Sequence, residues 1–382
     1  IVSMVIIFYG TGAELIKMLG IVQRIPRDQQ LLICTSQQNA GLQHVHAQLD
    51  VKPDIYLARG WKGKDVENMK QMLLLMLRVH SQFAVQFGKI KSLIKAHDKT
   101  HHTKSIVLVH GDTLTTVVGS YLGRMLGLPV GHVEAGLRSG SWKSPFPEEI
   151  DRRMVAKIAR IHFPPTQLAE DNLSNENTKG TIINTKFNTA KDAIGQADKF
   201  VSRNFTKLNL PRSYTLVLLH RTELLENRND LERILSTIHE YAEEKNNIVF
   251  TMHSTTKARI ESYNFNHFLK HPYIQTISKQ PYFDFMAIVK NADAVITDGG
   301  GLQEDTYFLG IPSIVHRART ERQEGLGVNS SLSEMDVKKV ATFLREHPSK
   351  KEFKKLIDNT SPSEIVVNYL RENNFITRSS KG

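Results

Sequence analysis

Two hydrophobic periods alternate along this chain. Short apolar runs of strand length, at residues 2–9, 30–35, 54–58, 105–110, 129–133, 161–164 and 180–183, are separated by stretches whose apolar residues recur at helical spacing. The longest such stretch, about 64–98, carries Met72, Leu75, Leu77, Val79, Phe83 and Phe87. Alternating strand and helix predicts a parallel sheet with right-handed crossovers. A charged stretch at 191–209, closed by Pro211, interrupts the pattern. It restarts with strands at 214–219, 247–252, 274–277, 294–297 and 312–315, and helices at about 229–245, 256–263, 282–292 and 301–309. Beyond residue 335 it turns wholly helical, and no internal repeat with matching residues is found. The fold class read from this pattern is α/β, with two Rossmann-like domains facing a cleft.

Composition changes this picture little. A chain of 382 residues fits about two domains, and 40% hydrophobic with 23% charged residues is ordinary for a globular protein. No apolar run approaches the roughly 20 residues of a membrane helix, so no membrane partner is expected. Residues 1–10 begin apolar and run into a Gly-Thr turn without a basic leader, which reads as a first strand and not a signal peptide. The single cysteine, Cys34, excludes an internal disulfide and fits a reducing, cytoplasmic compartment. The net charge of +11 raises the question of nucleic acid. The basic residues are dispersed, however, with Lys350, Lys351, Lys354 and Lys355 the densest run, and no zinc spacing, aromatic sheet motif or basic recognition helix accompanies them. The reading is a solvated basic surface that attracts an anionic metabolite, with no nucleic-acid partner.

Ligands of open parallel sheets bind beyond the carboxyl ends of strands, and that is where the polar clusters fall. The densest is 132–153, where Glu134, Arg138 and Glu148 sit among glycine and proline turn formers after an apolar strand. Glu149 and Asp151 fall on the first turn of a helix beginning near Pro147, where acids suit the helix dipole. Asp112, in His110-Gly111-Asp112-Thr113, is either a cleft-facing base or the cap of the next helix. The turn Gly10-Thr11-Gly12 either cradles a phosphate or is a tight turn capped by Thr11. In the second half, His220-Arg221 ends one strand and His253 another. Gly299-Gly300-Gly301 joins a strand to a helix carrying Glu304, and Arg322 follows. Glycine amides together with Arg322 suit a nucleotide diphosphate, and Glu304 suits ribose hydroxyls. Neither a Walker lysine motif nor paired His/Cys spacing occurs, so no metal and no cofactor are expected.

The ordered set Y-G-T-x-x-E-L-I-K, H-G-D-T-x-T-T, H-V-E-A-G-L-R, S-P-F-P-E-E-I-D-R-R, F-P-P-T, H-R, T-D-G-G-G-L-Q-E and T-E-R-x-E, spread over about residues 5–325, resembles the UDP-N-acetylglucosamine 2-epimerase family. Gly111-Asp112-Thr113 and the segment from Val133 to Arg138 are similar to its non-hydrolysing branch. The resemblance implies a GT-B-like fold that closes on a UDP-sugar, with C-terminal helices packing back on the first domain. It also implies elimination of UDP and re-addition through 2-acetamidoglucal, in a dimeric enzyme that supplies cell-surface polysaccharide. By position, Asp112, Glu134 and Glu148 match the family's catalytic acids. His220 matches its substrate-contacting histidine, and Lys17, Gly300, Glu304 and Arg322 match its nucleotide contacts. The expected domains are residues 1–190 with about 360–382, and 191–359.

Four departures stand out. Gly12 and Ala13 replace the family's Arg and Pro in the first turn, Thr222 replaces a second Arg, and Gly299 replaces a Ser. Thr35-Ser36-Gln37-Gln38 stands where many members carry a regulatory T-G-Q-H segment. The alternatives are a hydrolysing 2-epimerase or a GT-B-type glycosyltransferase using the same UDP-sugar, and a binding module that has lost turnover.

Overall fold

The computed structural model describes residues 4–37, 40–58, 69–101, 104–138, 148–202, 208–320, 322–346, 353 and 359–377. Gln38, the start of the predicted 64–98 helix, residues 139–147, Glu321 and the four clustered lysines lie outside the described residues. The chain divides into two compact units, Ile1–Ala193 with Thr360–Gly382, and Ile194–Asn359.

In unit 1 the strands are β1 (Val5–Tyr9), β2 (Gln30–Cys34), β3 (Ile55–Tyr56), β4 (Ile106–His110), β5 (Val130–Val133), β6 (Ile161–Phe163) and β7 (Thr181–Ile182). They form one parallel sheet in the order β3-β2-β1-β4-β5-β6-β7. Every residue of β1, β2 and β4 is buried, as expected of strands covered on both faces. Ile6, Phe8, Ile33, Val107 and Val109 pack there against Phe83 and Val79 of the helix Met69–His101.

The helix Gly12–Arg24 starts from a capping box between Thr11 and Glu14 and packs against the helix Pro362–Glu372. A Cβ added at Gly20 would stand 2.4 Å from Ser363 Oγ, so glycine lets the two helices touch. Ser363 N–H donates to Asp192 at 2.8 Å, and Gln29 Nε2 donates to Thr377 Oγ1 at 2.9 Å. The last described helix is therefore part of unit 1.

Unit 2 repeats the plan with β8 (Thr215–Leu218), β9 (Ile248–Met252), β10 (Ile274–Ser278), β11 (Ala294–Thr297), β12 (Ser313–Val315) and β13 (Ser330–Leu332), in the order β10-β9-β8-β11-β12-β13. β13 is absent from the sequence reading because Ser330-Ser331-Leu332 offers one apolar residue in three. It is held by parallel pairing with β12 and by the contact between Ser313 Oγ and Ser330 Oγ. Val217, Phe250 and Ile296 form the core with Ile234 and Leu235 of the helix Arg228–Tyr241.

Both sheets reverse direction of growth once, between β1 and β4 and between β8 and β11. The crevice outside the strand ends at such a switch is where parallel sheets take ligands.

His132 on β5 and His162 on β6 sit opposite each other in register, both fully buried. His132 Nε2 donates to the Gly111 carbonyl at 2.7 Å. Burial pushes His132 down to about 3, and burial lowers His162 as well. The unfolded chain takes up a proton near 6.5 that the folded chain refuses until far lower pH, so stability falls as pH drops through that window. His132 alone is expected to remove about 2 kcal/mol between pH 7 and 5, at roughly 1.4 kcal/mol per pH unit below its ordinary value. Burial raises Glu14, which works in the opposite sense by holding its proton to higher pH when folded. Urea midpoints of wild type and His132→Gln from pH 5 to 7 separate the two effects. Identical pH slopes would refute the assignment.

Candidate functional site

At the switch point of unit 1, Glu134 follows β5 directly and adopts φ 63°. That left-handed backbone is unfavourable for a non-glycine residue, at about 1–3 kcal/mol, and persists only where the surroundings enforce it. Here they do. Lys17 Nζ reaches Glu134 Oε2 at 2.6 Å from the helix Gly12–Arg24, Asn188 Nδ2 donates to the same oxygen, and His110 Nε2 stands 3.9 Å away. Glu134 is 5% exposed, with the Lys17 ammonium beside its carboxylate. Gly111 supplies the left-handed backbone, φ 69°, of the turn after β4; a Cβ there would only touch Glu134 Oε1 at 3.6 Å.

Asp112 occupies that turn. It does not cap the following helix: Thr113 does, in a capping box with Thr116 that opens Leu114–Met125. Asp112 instead pairs with Arg152 Nη2, from the helix Glu148–Ile158. Glu148 begins that helix, and among the described residues its buried Oε2 has no hydrogen-bond partner. One turn on, Asp151 is raised to about 7, first by burial and then by the charges of Asp112 and Glu148. Three carboxyls therefore lie within electrostatic reach of one another, and the proton held near neutral pH is that of Asp151. Glu149, the other first-turn acid, is fully buried between Arg153 Nε at 3.0 Å and Arg152 Nη1 at 3.7 Å. Asp151→Asn is expected to remove one group that titrates near pH 7, because the proton held there is that of Asp151. A proton-uptake curve between about pH 6 and 8 that is unchanged by the substitution would refute the assignment.

The turn at 10–12 resolves differently from a phosphate cradle. The amides of Gly10 and Thr11 each donate to Glu14 Oε2 at 2.8 Å, and Thr113 Oγ1 donates to Glu14 Oε1 at 2.6 Å. These donors are spent on holding β1, β4 and their helices together. Arg138 is also placed away from the acids. Its Nε and Nη2 fork onto Glu176 at 2.9 and 2.7 Å.

In unit 2, Asp298 follows β11 and is fully buried, accepting from the amides of His220 at 3.0 Å and Arg221 at 2.8 Å. Its Oδ1 lies 3.2 Å from His220 Nδ1, so one carboxylate fixes both the loop after β8 and the imidazole. The His253 ring lies 5.2 Å from that of His220, and burial lowers His253 to about 4. A side chain at Gly299 would strike His220 Cε1 at 2.9 Å, which explains glycine at this step. Gly299 caps Gly300–Leu309 without a side-chain hydrogen bond, and a Cβ at Gly301 would meet nothing within 4 Å. Such a helix start, with open backbone amides, suits an anion. Glu304 and Arg322, both buried, pair at 3.1 Å. Gln303 Nε2 holds this arm by donating to the carbonyls of Arg322 and Glu324 at 3.1 and 2.9 Å.

Four residues of these clusters escaped the sequence reading: Asn188, Arg152, Asp151 as a titrating group, and Asp298. Only Asp298, adjoining the glycine run at a strand end, carried a local signal. Among the described residues, no group of three or more His, Cys, Asp or Glu could hold a metal ion.

Two helix-flanked parallel sheets of this strand order define the GT-B-like class. The chain belongs to the UDP-N-acetylglucosamine 2-epimerase family, whose sequence profile matches residues 22–362. The UDP-N-acetylglucosamine 2-epimerase of Methanococcus maripaludis is 30% identical over 336 residues, covering 85% of this chain and 86% of that protein. The Bacillus subtilis enzyme of the same name is 31% identical over 363 residues, covering 93% and 90%. The crystal structure of Methanocaldococcus jannaschii UDP-GlcNAc 2-epimerase in complex with UDP-GlcNAc and UDP is similar with a TM-score of 0.73 at 27% identity, covering 97% of this chain and 99% of that one. The resemblance read from the motifs and the two-domain α/β fold are both borne out.

Proposed function

We propose that this protein interconverts UDP-N-acetylglucosamine and UDP-N-acetylmannosamine, with Asp112, Glu134 and Glu148 as its acid and base groups. A carboxylate removes the C2 proton. The C2–H electron pair forms the C1=C2 bond of 2-acetamidoglucal as the C1–O bond breaks and UDP leaves. Re-addition reverses these steps, with a proton delivered to the opposite face of C2. Inversion therefore needs one group ready to accept a proton and another ready to give one. The observation that carries this reading is the contrast within unit 1: Glu134 beside the Lys17 ammonium, and Asp112, paired with Arg152, near Glu148 and near Asp151, which burial raises to about 7. Within unit 2, the amides at Gly300 and Gly301 and the Arg322 guanidinium suit the diphosphate of a UDP-sugar, with His220, Arg221 and His253 as further contacts. Lys17 supports Glu134 in unit 1.

Proton NMR of UDP-N-acetylglucosamine with the protein in deuterated buffer tests the reading, extended to a panel of UDP-hexosamines. Deuterium at C2 and a manno isomer are expected. Neither appearing would end the proposal, and free N-acetylmannosamine with UDP would assign the hydrolysing chemistry instead.

No helix among the described residues is long and apolar enough to cross a membrane. The buried free thiol of Cys34 supports a cytoplasmic setting. A homodimer is supported by exposed apolar side chains: Leu74, Leu77 and Val85 at 56, 61 and 85% on Met69–His101, and Tyr121 and Met125 on Leu114–Met125. Sedimentation of the intact chain reads this directly.

A further inference from the structure

The helix Glu148–Ile158 and the chain around residues 176–179 line a half-open cavity of about 590 Å³. Among the described residues four cations line it, Arg153, Lys157, Arg160 and Lys179, against the single carboxylate of Glu176. Glu176 is already neutralised by the fork of Arg138 and by Arg153 Nη1 at 2.8 Å, so the cavity has a surplus of positive charge. Lys157 and Lys179 are exposed, while Met154 gives the wall an apolar part.

The cavity is wired to the candidate catalytic acid. Arg153, on its wall, donates to fully buried Glu149 at 3.0 Å. Glu149 in turn faces Arg152 Nη1 at 3.7 Å, too long for a hydrogen bond, and Arg152 Nη2 holds Asp112. The long link is the adjustable one. An anion that draws Arg153 into the cavity takes positive charge from Glu149, which Arg152 also faces. Arg152 then divides its charge between Glu149 and Asp112.

We infer that this cavity binds a phosphoryl group and that the bound anion is coupled to Asp112 through Arg153, Glu149 and Arg152. Coupling between two sites is reciprocal. Neutralising Asp112 frees Arg152 for Glu149 and Arg153 for the ligand, so Asp112→Asn strengthens phosphate binding. The inference takes its interest from the role proposed for Asp112, yet its test reads binding alone and stands or falls separately from turnover.

The experiment is calorimetry of inorganic phosphate, and in a second arm of a sugar phosphate monoester, into the full chain saturated with UDP so that competition for the nucleotide is removed. One binding event is expected to survive UDP. It should weaken roughly tenfold or more in Lys157→Glu/Lys179→Glu, two exposed positions outside the relay, with UDP affinity unchanged. It should tighten about fivefold or more in Asp112→Asn. Tighter binding of the monoester assigns the site to a phosphorylated metabolite, and tighter binding of inorganic phosphate assigns it to the free ion. Loss of the event under UDP, indifference to the double lysine variant, or equal affinity in Asp112→Asn each overturns the inference.

Discussion

Replacing Glu134 by Gln is expected to slow deuterium incorporation at C2 by about a hundred- to ten-thousand-fold, the usual contribution of one positioned acid or base. The change is nearly isosteric, so the Lys17 and Asn188 contacts can be kept while the charge disappears. UDP affinity, which the proposal assigns to unit 2, should hardly move. A joint fall in exchange and in UDP affinity would instead point to a fold defect. An exchange rate within a few-fold of wild type would remove Glu134 from the chemistry. Glu134→Asp is a useful companion, since Asp tolerates the left-handed backbone but withdraws the carboxylate by one methylene.

Arg322→Met is expected to destabilise unit 2 by about 3–5 kcal/mol, because it strips the paired cation from Glu304, a carboxylate only 1% exposed. Glu304→Gln/Arg322→Met should recover much of that loss, since the uncompensated charge goes with it. Urea unfolding of Arg322→Met, Glu304→Gln and the double variant checks the sign and size. Both single and double variants should also lose roughly tenfold or more in UDP affinity, the scale of one lost hydrogen bond to a charged group. Stability losses that simply add would show that the pair does not act as a unit.

The elements and the strand ends were legible because parallel strands are buried on both faces and read as bare apolar runs. Val5–Tyr9 and Ile106–His110 are fully buried, and the acids and glycines that follow them stand out against that background. What the sequence hides is which partner each polar group finds. Asn188 meets Glu134 across 54 positions, and Arg152 meets Asp112 across 40, with no periodicity to announce either. The same blindness works in reverse. Arg138 looks like part of the acid cluster and is committed to Glu176, and the amides at Gly10 and Thr11 look free and are taken by Glu14. Asp151 was legible as a helix-start acid, but not as a titrating group, because its proton affinity comes from burial and from two neighbours.

The helix Pro362–Glu372 belongs to unit 1 and yet lies beyond all of unit 2 in the chain. A ribosome therefore releases the whole second unit before the first can cover the apolar strip that Val366, Val367 and Leu370 bury. The nascent first unit waits with that strip open, a natural ligand for a chaperone. Translational pauses within the second unit should lengthen the wait and lower the yield of folded protein, even when no residue is changed.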